Sequence, residues 1–74
     1  MKKTLESKIK RFEKAYNRYN KSRKTYYTSD SGFEYENFKH FFLFKNSNEI
    51  AFAFETEEEI EDFLDANLER IENH

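Results

Sequence analysis

Lys39-His40-Phe41-Phe42-Leu43-Phe44-Lys45, Asn46-Ser47-Asn48-Glu49 and Ile50-Ala51-Phe52-Ala53-Phe54 run on as one stretch, and its reading decides the fold. Two apolar runs of strand length flank a polar segment of turn formers, the pattern of a β-hairpin. Closing the hairpin sets Phe44 against Ile50, Phe42 against Phe52 and His40 against Phe54. Strand side chains alternate, so these six share one face, and Phe42, Phe44, Phe52 and Phe54 are the expected core. The opposite face carries Phe41 and Leu43 above a floor of Ala51 and Ala53, with Lys39 and Lys45 at its rim. Two helices can cover one side of a sheet this small. The second side is then expected to stand open, unless the sheet curls or the segment around Asp30 to Phe33 folds over Phe41.

Upstream, Leu5, Ile9, Phe12, Tyr16 and Tyr19 recur at spacings of four, three, four and three, which makes one apolar stripe on a helix. Thr4 suits the N-cap, and no Pro or Gly interrupts through Arg23. Lys3, Lys10, Lys14, Arg18 and Lys21 fall on the far side of that helix. Thr25 to Thr28 reads as a short strand, and Ser29-Asp30-Ser31-Gly32, with the only glycine, as a turn. Phe33, Tyr35 and Phe38 break the alternation. A bulge near Glu36-Asn37 would restore it, or else residues 33–37 are loop.

Downstream, Thr56 followed by Glu59 is a capping box, and acids in the first turn suit the helix dipole. Ile60, Phe63, Leu64, Asn67, Leu68 and Ile71 keep one face, while Glu58, Glu61, Asp62, Asp65, Glu69 and Glu72 line the outer side. The reading is α+β: helix, three-stranded antiparallel meander, helix, with both helices on the aromatic face of the sheet. At 74 residues, with neither a repeat nor a Pro/Gly-rich linker, it is one domain.

With no cysteine and 38% charged residues, the 19% of aromatic residues must carry much of the burial. Each buried ring removes roughly 150–250 Å² from water. No run reaches the ~18–20 apolar residues of a membrane span, and the start lacks the apolar stretch of a secretory signal, so a cytoplasmic location is expected. The net charge of −2 conceals a polarity. Residues 1–27 hold ten Lys/Arg against two Glu, a net +8, and residues 55–74 hold nine acids against Arg70, a net −8.

Chemistry is thinly supplied. The two histidines, His40 among phenylalanines and the terminal His74, do not build a triad or a metal site. The carboxylates cluster on one helix face rather than on opposing walls, and no glycine-rich phosphate loop is present. No enzyme activity, cofactor or metal is expected. The element order resembles the double-stranded RNA-binding domain, but the second helix starts Glu57-Glu58-Glu59 where that family places bases against phosphates. Arg11-Phe12-Glu13-Lys14-Ala15-Tyr16, within the same helix, strands and helix order, resembles the small accessory proteins of phages and mobile elements, among them the type II-A anti-CRISPR inhibitors. That resemblance implies a non-enzymatic inhibitor that occupies a surface of a host nuclease or nucleoprotein.

The sequence therefore favours a protein-interaction module. Its candidate contact residues are Phe41, Leu43, Lys39 and Lys45 on the sheet and Glu58, Asp62, Asp65 and Glu69 on the acidic helix. The alternatives are a nucleic-acid-binding accessory protein using Lys10, Lys14, Arg18 and Lys21, and a weak homodimer.

Overall fold

The computed structural model describes residues 2–29, 38–47 and 49–73. Its elements are α1 (Lys3–Tyr19), β1 (Thr25–Ser29), β2 (His40–Phe44), β3 (Ile50–Phe54) and α2 (Glu57–Glu72). The strands form an antiparallel sheet in the order β1-β2-β3, with both helices against it. This is the α+β architecture expected from the hairpin and its flanks. Phe33, Tyr35 and the Glu36-Asn37 bulge lie outside the described residues.

α1 starts earlier than a Thr4 cap would allow. The Glu6 N–H already bonds the Lys2 carbonyl at 3.0 Å, so Lys2 holds the cap position, without a side-chain cap bond. It also stops at Tyr19 instead of running to Arg23. The Asn17 side chain pulls the returning chain against the helix by bonding both the N–H (2.8 Å) and the C=O (3.0 Å) of Thr25. Glu13, one turn earlier, accepts the Tyr27 N–H at 2.8 Å. Two helical side chains four residues apart thus stand in for a neighbouring strand along the outer edge of β1, where bare backbone groups invite pairing with other chains.

α2 begins as its sequence predicts. Thr56 Oγ1 accepts from the Glu59 N–H at 3.2 Å, and the Glu59 carboxylate accepts from the Glu55 N–H at 3.0 Å.

In the hairpin, His40 pairs with Phe54 and Phe42 with Phe52, as expected, but Ile50 pairs with Leu43 rather than Phe44. An irregularity between Phe42 and Leu43 shifts the register by one residue and leaves Ala51 as the extra residue on β3. Of the four expected core phenylalanines, Phe42 and Phe54 are buried among Leu5, Ile9, Phe12, Ile60, Leu64 and Leu68. Phe44 and Phe52 are half-buried. Phe44 ends under the Arg23 guanidinium, 3.9 Å above its ring.

The second face is where the structure overturns the sequence reading. Phe41 and Leu43 are 0% exposed, so the open apolar surface expected there does not exist. β2 is the central strand, and the register sets Tyr26 and Thr28 beside these residues on one side and Ile50 and Ala53 on the other. The alternative, that the segment around Asp30 to Phe33 provides a cover, falls on residues outside the description. Lys39 and Lys45 remain exposed, but the buried Phe41 and Leu43 leave them no apolar surface to border on that face.

Candidate functional site

The charge polarity of the chain is partly spent inside the molecule. α1 and α2 lie side by side and run the same way. Lys8 Nζ bonds Asp65 at 2.9 Å and lies 3.9 Å from Glu61. Arg11 grips Glu72 with two hydrogen bonds, Nε to Oε2 at 3.0 Å and Nη2 to Oε1 at 2.6 Å, the bidentate geometry that suits guanidinium and carboxylate. Arg18 donates to the Glu72 carbonyl at 3.2 Å, a basic cap on the last turn of α2. Ala15, buried between these pairs, offers little bulk where the helices approach.

These contacts tune the groups that make them. The hydrogen bond from Arg11 holds the Glu72 carboxyl below the usual carboxylate range. The bond to Asp65 raises the Lys8 ammonium above its ordinary value, and that to Glu72 does the same for Arg11. All are at the surface, where such pairs are screened by water and salt.

The predicted acidic row therefore divides. Asp65 turns to Lys8, whereas Glu58, Asp62 and Glu69 are exposed and have no ion pair among the described residues. The basic row divides similarly. Arg18 is engaged with α2, while Lys10, Lys14 and Lys21 stay exposed and unpaired among the described residues. His40 is a half-buried, packed residue of the central strand: its Nδ1 lies 2.9 Å from the Tyr27 hydroxyl, and the two rings stack. Burial raises the Tyr27 phenol above its usual pKa. Among the described residues no group of three or more His, Cys, Asp or Glu is placed to hold a metal ion. No helix among them is long and apolar enough to cross a membrane.

Two hollows lie between the helices and the sheet. One, of about 490 Å³, runs beside the covered edge of β1 and is lined by Glu6, Ile9, Lys10, Glu13, Tyr27 and Ser29. Two of its polar groups are committed, Glu13 to the Tyr27 backbone and the Tyr27 hydroxyl to His40. The other, of about 270 Å³, opens between β3 and the C-terminal halves of the two helices. Its walls are Tyr16, Tyr19, Phe52, Phe63 and Ile71, with Asn67 and Arg70 on α2 and Phe12 behind them. Sequence reasoning missed this groove, since each ring was assigned to the core by its spacing. The available signal was the change from Leu and Ile early in the first helix to paired tyrosines at its end. The edge-capping role of Asn17 was also missed, although a mid-helix Asn beside an apolar stripe is an invitation to look for a backbone partner. The chain matches no family model, no curated protein and no solved structure.

Proposed function

We propose that the chain is a non-enzymatic protein-interaction module that acts by occupying a basic surface of its partner, in the manner of a phage-type inhibitor of a host nuclease or nucleoprotein. The observation that carries this reading is the surplus of carboxylates on α2. The helix seam consumes Glu61, Asp65 and Glu72, yet Glu58, Asp62 and Glu69 remain on the outward ridge. The Glu58/Asp62 pair repels by roughly 0.2–0.5 kcal/mol, and no ion pair among the described residues offsets it. A row of unneutralised carboxylates can take the place of phosphates on a protein that reads nucleic-acid backbone. The resemblance to mobile-element accessory proteins points the same way.

The test replaces Glu58, Asp62 and Glu69 with Gln and leaves Asp65, which is bound to Lys8. The variant is expected to melt at or above the wild-type temperature and to lose the basic proteins that wild type retains from host cytoplasm. Unchanged retention would reduce the ridge to a solubilising face. A second reading, nucleic-acid binding by α1, is favoured by exposed Lys10, Lys14 and Lys21. It predicts an affinity for duplex that falls steeply with salt and is lost on replacing those three lysines.

A further inference from the structure

We propose that the groove between the C-terminal ends of the two helices is a docking site for an aromatic side chain carried on an acidic segment of a partner protein. The site is independent of the α2 ridge and uses none of its residues.

The groove is the place where the aromatic core reaches solvent. Phe52 sits mid-strand on the helix-facing side of β3, a position that a closed fold would bury, yet it is only half-buried. Its ring touches Phe63 at 4.9 Å and meets Tyr16 nearly perpendicular at 6.0 Å. Phe63 and Ile71 are likewise half-buried, and Tyr19 is 56% exposed. A continuous wall of ring faces and edges is therefore presented to solvent. Such walls accept another ring in edge-to-face or offset geometry, and exposed apolar patches with a polar rim mark contact sites. The groove's size selects the occupant. About 270 Å³ falls below the roughly 300–1,000 Å³ of small-molecule sites, and suits one large side chain.

Charge selects the company of that side chain. Asn17 meets Thr25, Arg18 meets the end of α2, Lys24 meets Lys45, and Phe44 meets Glu49. These contacts bring the ends of α1, β2 and α2 and the starts of β1 and β3 to one end of the molecule. Lys21, Lys24, Lys45 and Arg70 are exposed there, without ion pairs among the described residues. Glu49 is bonded to Arg23 at 2.6 Å and Glu72 to Arg11, which among the described residues leaves Glu69 as an unpaired acid near the end of α2 against these four bases. The surroundings of the groove are thus positive, which steers an acidic segment toward it. Two copies meeting groove to groove would bring these bases together, so a second copy is the disfavoured occupant. Arg70 is the only base on α2 and stands at the groove itself. It can meet a carboxylate flanking the docked ring while Asn67, whose amide N–H donates to the Phe63 carbonyl at 2.8 Å, offers its oxygen to a backbone N–H.

The test titrates three blocked tripeptides, acetyl-Asp-Phe-Asp-amide, acetyl-Lys-Phe-Lys-amide and acetyl-Asp-Ala-Asp-amide, into the full chain and follows side-chain and backbone chemical shifts. Saturable shifts are expected from the first peptide at Tyr16, Tyr19, Phe52, Phe63 and Arg70. Its affinity should exceed that of the other two by roughly tenfold or more, equivalent to about 1.4 kcal/mol. Arg70→Gln and Tyr19→Ala should each weaken it severalfold without altering the fold. The Gln variant of the α2 ridge should bind it as wild type does, which separates this site from the acidic-ridge reading. Equal binding of the lysine peptide, shifts centred elsewhere, or no saturable shift at all would overturn the proposal.

Discussion

The two ends of the helix pair are built differently from the same amphipathic plan. At the N-terminal end Leu5, Ile9, Ile60 and Leu64 are 0–4% exposed, and Lys8 bridges the helices above them. At the C-terminal end Tyr16, Tyr19, Phe52, Phe63 and Ile71 leave a groove. Phe12 stands at the junction, in ring contact with Phe42 and Phe63 at 5.2 and 5.4 Å. The closed end packs aliphatic side chains from both helices over the sheet, whereas the open end packs rings that reach solvent. One stripe thereby yields a sealed core and an accessible aromatic surface. The lesson is that the periodicity of apolar residues says which face turns inward, and their shape says how tightly it closes.

The strongest challenge to this contrast comes from the other side of the sheet. Phe41→Ser with Leu43→Ser should abolish cooperative folding, because both side chains are completely buried and each replacement places an unpaired hydroxyl there. A folded double variant, seen by its thermal transition, would mean that the second face is open after all. Phe63 and Leu64, adjacent in sequence, then separate open end from closed core. Leu64→Ala should cost about 2–5 kcal/mol, and Phe63→Ala less, since its ring is only partly buried. Denaturant unfolding of the two variants decides, and a larger loss at Phe63 would reverse the assignment.

Smaller effects sharpen the picture. Asn17→Leu should cost about 1–3 kcal/mol by leaving the backbone groups of Thr25 without partners, and should raise the tendency to associate through the uncovered edge of β1. Light scattering alongside denaturation tests both. The smallest effect belongs to the seam. Glu72 has a lowered pKa in the folded chain, so its contribution is present above the ordinary carboxylate pKa and fades as pH falls through the folded value. Glu72→Gln should therefore flatten the acid limb of a melting-temperature profile, and high salt should shrink the difference from wild type.

The order of elements, the α2 cap and the hairpin were legible because each rests on local patterns: alternation, turn formers and Thr56 with Glu59. The one-residue shift at Leu43/Ile50 was not, since a bulge at Ala51 leaves no mark in a run where large and small residues already alternate. Exposure of Phe41 and Leu43 was inferred from counting elements, and that count fails when a central strand is covered on both faces. The acids that line α2 at i, i+4 spacing repel one another in an isolated helix. Their partial answer, Lys8 and Arg11, lies more than fifty residues away in sequence. The groove was hidden by the same non-local geometry.

The central claim is that the closed end holds the molecule together and the open end is free to bind. Native-state hydrogen exchange, with and without the Asp-Phe-Asp peptide, tests it most directly. The account predicts that amides around Ile9 and Leu64 exchange only through global unfolding, and that those around Tyr19 and Ile71 exchange through cheaper local opening. The peptide should slow the second set selectively. Uniform protection along both helices, or slowing by the peptide at the Leu5 and Ile60 end, would contradict it.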